Sequence, residues 1–199
     1  MLATPPIAKS CRGLDELTRR LDESVCRSCN EEVTEGVQDA LSDVIKTGGL
    51  SLADELLEPS ADGYARRLVY VSEDHGYVVI AMIWGPGQGT ALHDHSGVWC
   101  VEGVIQGEIA VTQYQPLEWT HDGRWRFEPS KTVRAGVGSS GSLIPPFEYH
   151  TIANALDGGD CAVTLHVYAQ ELERANIFQP LDGQPGWYQR TTKELGYSH

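Results

Sequence analysis

Residues 84–107 read WGPGQGTALHDHSGVWCVEGVIQG, and this stretch decides the expected fold. Two histidines, His93 and His95, stand two residues apart in it. Side chains alternate between the two faces of a strand, so residues two apart point the same way with their backbones about 6–7 Å apart. A third histidine, His150, lies in a later strand-like segment. We therefore predict that His93, His95 and His150 bind one metal ion.

The residues around this stretch predict strands, whereas the N-terminal part predicts helices. Leu and Val recur three and four residues apart in 13–24 and 30–46, which indicates two amphipathic helices. Asn30 is the expected N-cap of the second helix, and Gly48-Gly49 should stop it. Runs rich in Val, Ile, Tyr and Trp, separated by Gly, Pro, Asp and Ser, predict strands at 64–71, 76–85, 97–114, 124–134, 141–144, 149–154 and 160–169.

This order of elements predicts an all-β fold, a small barrel with N-terminal α-helices packed against it. A chain of 199 residues suits one structural domain. We expect residues 1–60 to form the helical segment and residues 61–199 to form the barrel. The tail from residue 170 onward contains Pro180, Gly183, Pro185 and Gly186, which predicts irregular structure wrapped around the barrel.

Composition argues against several classes of partner. A net charge of −13 disfavours nucleic acid and anionic membranes, since both attract basic surfaces. The apolar run at 77–84 is too short to cross a bilayer, and residues 1–10 lack the charged and apolar regions of a secretory signal. Five irregularly spaced cysteines suggest free thiols in a reducing compartment. We expect a cytoplasmic protein with neither nucleic acid nor membrane as a partner.

A site made of three imidazoles has a defined chemical character. Three neutral ligands leave the 2+ charge of the ion in place and leave coordination positions open for other molecules. Structural zinc normally has all four positions filled by Cys and His, and the spacing here is unlike that of a zinc finger. On the residues alone, catalytic zinc, nickel, manganese and cobalt stay open beside iron.

The glycines around the histidine pair match a known frame. Gly87 stands six residues before His93, and Gly107 closes the next turn. This pattern resembles the first cupin motif, although Cys100 occupies the position of its glutamate ligand. The second cupin motif is matched by Pro145, His150 and Asn154, while Phe147 replaces its usual glycine. The resemblance implies a cupin barrel, also called a jelly roll.

Four local segments narrow the resemblance to the thiol dioxygenases, and to the cysteine dioxygenase family in particular, over residues 64–168. They are Tyr64-Ala65-Arg66-Arg67-Leu68, Trp84-Gly85-Pro86-Gly87-Gln88-Gly89, His93-Asp94-His95 with Cys100 five residues later, and Thr164-Leu165-His166-Val167-Tyr168.

This resemblance implies roles for individual residues. The three histidines would bind Fe(2+), one per chain, and Arg66 in the segment that begins at Tyr64 would bind a substrate carboxylate. Arginine suits that role because its planar fork makes two charge-assisted hydrogen bonds. Thr164, His166 and Tyr168 would form a catalytic hydrogen-bond relay, in which Thr164 replaces the serine of the family. Cys100 would form a thioether with Tyr168.

The implied reaction adds both atoms of O2 to the sulfur of a small thiol. The expected substrate is L-cysteine, and the product is then cysteine sulfinate (3-sulfinoalanine). Relatives that act on 3-mercaptopropionate resemble this chain too, but they typically carry Gln where Arg66 stands. Two alternatives remain: dioxygenation of 3-mercaptopropionate, mercaptosuccinate or another small thiol acid, and a metal-binding cupin that acts on a ligand without a thiol.

Overall fold

A computed structural model describes residues 11–198, and strands make up most of them. The expectations for residues 1–10 and for His199 lie outside this range. The helices and strands, in chain order, are β1 (Cys11–Arg12), α1 (Leu14–Val25), α2 (Asn30–Lys46), β2 (Ser51–Leu52), α3 (Asp54–Leu57), β3 (Ala65–Val71), β4 (Val78–Trp84), β5 (Leu92–His93), β6 (Cys100–Gln106), β7 (Glu108–Trp119), β8 (Arg124–Gly136), β9 (Ser140–Leu143), β10 (His150–Asn154), β11 (Ala162–Tyr168), β12 (Arg174–Pro180) and β13 (Trp187–Glu194).

The long strands form two sheets whose inner faces share a core. One sheet has the order β3-β4-β11-β6-β9, and the other, β10-β5-β12-β13-β8-β7, closes on itself because β7 pairs with β10. Apolar side chains from both sheets, such as Ile80, Trp84, Ile109 and Ile152, form one buried cluster between them. The predicted all-β barrel of the cupin type, with N-terminal helices, is confirmed.

The two predicted helices cover the outer face of the five-stranded sheet. Leu17 and Leu21 of α1 and Leu41 of α2 are fully buried there. Burial of each such leucine contributes roughly 1.5–3 kcal/mol. Gly103 of β6 allows α2 to approach closely, since a Cβ at that position would lie 3.0 Å from the Cδ1 of Ile45. None of the helices in the described part of the chain is long and apolar enough to cross a membrane.

The prediction for α2 is correct at its C-terminus and wrong at its N-terminus. Gly48 follows the helix with φ 65°, a left-handed conformation that commonly ends helices, so the predicted stop is confirmed. The N-cap is Cys29, and the assignment of Asn30 to that position was wrong. Cys29 has extended backbone angles, whereas Asn30 is already the first helical residue.

The predicted strand at 97–114 is two strands, β6 and β7. Gly107 separates them with φ 72°, and a Cβ at this position would lie 3.0 Å from the Cα of Ala162. Glycine there allows the positive φ and the close approach to β11.

The prediction of an irregular tail was wrong. Residues 174–180 and 187–194 form β12 and β13, which pair with each other and complete the six-stranded sheet. Phe178 is only 1% exposed and pairs in register with Leu92, so burial outweighs the turn-forming residues nearby. Pro180 is the last residue of β12, while Gly183 and Gly186 lie in the turn, where their positive φ is required. The division of the chain near residue 60 stays a prediction.

Candidate metal centre

The three histidines singled out by the sequence lie together at one end of the barrel. His93 is the last residue of β5 and pairs in register with His150, the first residue of β10. The ring centroids are 4.3 Å apart for His93 and His150, 5.0 Å for His95 and His150, and 5.4 Å for His93 and His95. One nitrogen of each ring lies within 4.8 Å of the other two. Small rotations bring such donors to one ion with bonds of about 2.0–2.1 Å.

His95 joins the cluster from a turn and not, as strand alternation predicts, from a strand. The strand β5 ends at His93, so His95 stands in a turn. The buried carboxylate of Glu148 accepts the backbone N–H of His95 at 3.0 Å and that of Gly97 at 3.3 Å. This carboxylate therefore orients the turn that carries His95.

A second buried carboxylate, that of Asp94, fixes the other side of the turn. It accepts the N–H of Ser96 at 3.0 Å, and from β12 it accepts the backbone N–H of Asn176 at 3.0 Å and the side-chain amide at 2.8 Å. Sequence reasoning missed Asp94 and Glu148. An acidic residue next to each histidine segment was the available signal, because ligand histidines need neighbours that hold them in place.

The hydrogen bonds of the rings leave nitrogen lone pairs available. The Nδ1 of His93 lies 3.0 Å from the carbonyl of Ala91, and that of His150 lies 2.8 Å from the carbonyl of Glu148. A carbonyl can only accept, so both Nδ1 atoms carry hydrogen and both Nε2 atoms are free to coordinate. The Nδ1 of His95 is buried without a partner among residues 11–198.

Burial also keeps these rings uncharged. It lowers the pKa of His93, and it lowers the pKa values of His95 and His150 well below the ordinary histidine value, with the neighbouring imidazoles adding to the effect at His95 and His150. Neutral imidazole is the form that binds metal. The donor set, its tautomers and the unpartnered nitrogen of His95 therefore fit a divalent transition-metal ion.

No protein anion joins the three rings in the described part of the chain, where the potential metal-binding group consists of these histidines alone. Cys100, at the glutamate position of the cupin motif, is fully buried, and its Sγ lies 3.8 Å from the Nδ1 of His166. Burial raises the pKa of the Cys100 thiol well above its usual range, so the sulfur stays neutral. An ion held here would keep its full positive charge and would favour an anionic ligand from outside.

The histidines line a cavity of about 120 Å³ together with Tyr64, Arg66, Trp84, His166 and Tyr168. The ring of Tyr64 stacks on that of Trp84 at 4.6 Å and forms part of the wall. Such a space suits a molecule with few heavy atoms.

Arg66 brings a buried positive charge to this cavity. Its side chain is held by the carbonyl of Leu172, which accepts from Nη2 at 3.3 Å, and by the ring of Tyr197, whose centroid lies 4.9 Å from Cζ. Arg66 is only 5% exposed. Among residues 11–198, no carboxylate lies within ion-pair distance of it. A buried cation without a counter-ion is costly, so the site favours an anionic ligand group.

The tail residues that support Arg66 could not be found from the sequence. The Ser198 hydroxyl accepts the backbone N–H of Arg66 at 3.1 Å, across 132 residues of chain. Leu172 and Tyr197 are likewise distant in sequence, and their contacts depend on the path of β12 and β13, which was predicted wrongly.

The predicted line of Thr164, His166 and Tyr168 lies on β11, and all three side chains are buried. The Thr164 hydroxyl is 2.8 Å from the Nε2 of His166, and it accepts the indole N–H of Trp84 at 2.9 Å. The rings of His166 and Tyr168 are stacked at 6.0 Å, and Tyr168 also contacts His95 at 5.3 Å between centroids. Tyr168 of this predicted line therefore adjoins the cluster of three histidines.

Comparisons with known proteins agree with this site at the level of the family. The chain is 23% identical over 131 residues to "Cysteine dioxygenase type 1" of Danio rerio, and the alignment covers 60% of this chain and 58% of that protein. The chain thus spans less than two thirds of the length of this relative.

Solved structures with a similar fold include a conserved protein of Klebsiella pneumoniae with a double-stranded β-helix domain. It has 22% identity, coverage of 58% of this chain and 79% of that chain, and a TM-score of 0.44. A protein of Thermus thermophilus has 20% identity, coverage of 58% and 91%, and a TM-score of 0.43. Similarity at this level carries no conclusion about function.

The family profile described as "Cysteine dioxygenase type I" matches residues 58–180, which is more than half of the chain. This range contains the three histidines, Arg66 and the relay on β11. The chain belongs to the cysteine dioxygenase type I family.

Proposed function

We propose that this protein is an iron-dependent thiol dioxygenase that converts L-cysteine to cysteine sulfinate. The reaction takes a thiol and O2, and it gives the sulfinate and one proton. One observation carries the proposal. Arg66, which is buried and has no carboxylate partner among the described residues, lines the same small cavity as three neutral histidines. An amino-acid thiol would bring its carboxylate to Arg66 and an anionic sulfur to the ion that the three histidines would hold.

Arg66 is the proposed anchor of the substrate carboxylate, with Tyr64 beside it. The backbone of Arg66 lies on β3 and is tied to Ser198, while its guanidinium is held by Leu172. A guanidinium fixed in this way can make two hydrogen bonds to a carboxylate without losing further rotational freedom. It would hold the rest of the substrate so that the sulfur faces the three histidines.

His93, His95 and His150 are the proposed ligands of one Fe(2+). When bound, iron would supply open coordination positions and activate O2, while the four electrons that reduce O2 come from the sulfur of the substrate. Trp84, Tyr64 and Met82 line the cavity. Their apolar surface lowers the local dielectric constant, which strengthens charge interactions in the site.

The relay on β11 is proposed to hold protons beside the substrate. Thr164 fixes the orientation of His166 through Nε2, and the ring of His166 stacks against that of Tyr168. Burial raises the pKa of the Tyr168 hydroxyl well above its usual range, so this group remains protonated and can donate a hydrogen bond. We assign it the role of a hydrogen-bond donor to the reacting atoms.

The proposed location is the cytoplasm. All five cysteines are free, including the exposed Cys26 and Cys29, as expected where thiols are kept reduced.

Oxygen uptake with a panel of thiols tests the proposal. Protein loaded with iron under anaerobic conditions should consume O2 with L-cysteine and form one sulfinate per O2, as identified by mass spectrometry. 3-Mercaptopropionate and mercaptosuccinate have carboxylates and thiols but different spacing, so we expect slower turnover with them. Faster turnover with either would assign the site to that thiol acid. No uptake with any thiol would instead support a cupin that acts on a different ligand.

A thioether between Cys100 and Tyr168 is proposed to form during turnover. The two residues are directly opposed on β6 and β11. Joining the sulfur to the tyrosine ring removes one hydrogen from each, and O2 is the oxidant that takes up these two electrons and two protons, so a fraction of the molecules should lose two hydrogens in intact mass. Peptide mapping should place the loss on these residues.

Cys161→Ala serves as the control, because Cys161 lies outside the cavity and the variant should still show the lighter species. Cys100→Ala should lack it. An unchanged intact mass of the wild-type protein after many turnovers with iron would rule out this modification.

A further inference from the structure

The carboxylate of Glu102 lies next to His166 of the relay and has no role in the proposed reaction. Glu102 projects from β6 and is directly opposed to His166 on β11. Its Oε2 lies 3.7 Å from the Nδ1 of His166, and the two side chains are only 9% and 3% exposed. This oxygen has no hydrogen-bond partner among the described residues. The distance exceeds that of a hydrogen bond but allows a direct electrostatic interaction.

The hydrogen bonds of the relay determine which nitrogen of His166 carries hydrogen. The indole N–H of Trp84 can only donate, so the Thr164 oxygen accepts from it at 2.9 Å. The hydroxyl keeps its own hydrogen, and its other side-chain partner in the described chain is the Nε2 of His166 at 2.8 Å. Thr164 therefore donates to Nε2. The hydrogen of the neutral ring is then on Nδ1, which faces Glu102.

Glu102 also lines a second cavity, of about 270 Å³, which is lined by none of the three clustered histidines. The histidine cavity is lined by His166 and not by Glu102, whereas the second is lined by Glu102 and not by His166. Lys131, which also lines the second cavity, is exposed, so this cavity reaches solvent. Glu102 can thus exchange a proton with water without passing through the substrate cavity.

The charged and titratable groups that face Glu102 are few. His166 and Tyr168 belong to β11, Cys100 precedes Glu102 on β6, and Lys131 lies across the second cavity on β8. The lining from β7 and β9 contributes Gln113 and serines, which do not titrate. Burial raises the pKa of Glu102 to about 7 and lowers that of His166 to about 3. At neutral pH, Glu102 is therefore the member of this pair that titrates.

We infer that Glu102 is a positioning residue for the relay: its ionised carboxylate holds the Nδ1–H of His166 and so keeps Nε2 as the acceptor for Thr164. When Glu102 is protonated, Oε2 loses its charge and the ring is no longer held in this tautomer. The inference rests on the proposed dioxygenase function. Activity should then rise as the pH rises through about 7. At pH 6 about one tenth of the carboxyl would be ionised, and at pH 8 about nine tenths.

Two substitutions separate this role from simple packing. Glu102→Gln has nearly the same shape but carries no charge at any pH. Its kcat should fall several-fold at pH 8, to about the wild-type value at pH 6, and should not change between the two pH values, because the variant does not titrate. Glu102→Leu offers no acceptor, and its kcat should fall about tenfold or more at pH 8, with KM little changed.

The control variant is Glu128→Gln, an exposed glutamate of β8 that contacts neither cavity. It should keep the wild-type pH profile. If Glu102→Gln also keeps the rise near pH 7, another group titrates there and the inference is wrong. Thermal unfolding of each variant identifies any that fails to fold.

A measurement without iron or substrate separates this inference from the proposed function. In ¹⁵N-histidine NMR spectra of the metal-free protein, His166 should be the Nδ1–H tautomer at pH 8. Glu102→Gln and Glu102→Leu should both show a mixture of tautomers. A wild-type ring with hydrogen on Nε2 would overturn the inference even if thiols are oxidised. Absence of thiol oxidation by the wild-type protein, with the expected tautomer present, would contradict only the proposed function.

Discussion

Replacing His150 with alanine should abolish stoichiometric binding of Fe(2+). The change leaves two imidazoles, of which His93 lies on a strand of two residues and His95 in a turn. The loss of affinity should exceed 100-fold, since even changes to groups behind metal ligands typically cost about 10- to 100-fold. Metal analysis after anaerobic loading and desalting would measure it. Because binding to the folded state stabilises it by about 2.7 kcal/mol at 100 times Kd, iron should raise the Tm of the wild-type protein and not that of the variant.

The control for this experiment is His121→Ala. His121 is exposed in the turn between β7 and β8 and lies outside the histidine cluster. This variant should bind one iron per chain and show the wild-type Tm shift. Full iron occupancy in His150→Ala would show that the three rings do not form the site.

Replacing Arg66 with alanine should weaken the use of L-cysteine far more than the use of cysteamine, which lacks a carboxylate. The lost charge-assisted hydrogen bonds are worth about 2 kcal/mol, or roughly a 30-fold increase in KM. The buried guanidinium has no carboxylate partner within residues 11–198, so no protein anion is left unpaired when it is removed. Parallel initial-rate measurements with both substrates give the comparison.

Arg126→Ala is a matched control, because Arg126 is an exposed arginine of β8 whose ion pair with Glu118 is at the surface. Its kinetics should be those of the wild-type protein. A similar loss for L-cysteine and cysteamine in Arg66→Ala would mean that Arg66 supports the cavity and does not bind a carboxylate. Arg66→Gln should shift the preference from L-cysteine toward 3-mercaptopropionate.

Local sequence patterns were sufficient to predict much of the fold. The spacing of Leu17, Leu21 and Leu41 predicted the two helices that pack on the sheet, and the alternation along β11 predicted that Thr164, His166 and Tyr168 share a face. Both patterns follow from the geometry of a single element. The tail was mispredicted because Phe178 is buried by strands far away in the chain, and no local signal opposes the turn residues around it.

The sequence by itself determined which residues could carry the chemistry: three histidines, Arg66, Cys100 and the relay on β11, as motifs with defined spacing. Only the tertiary structure decided how they are held. His95 joins the cluster through a turn oriented by Glu148, Arg66 is supported by the C-terminal residues, and Glu102 lies against His166. These contacts join residues far apart in the chain. The distances between these residues depend on how the strands pair. The spacing of residues within one segment does not determine that pairing.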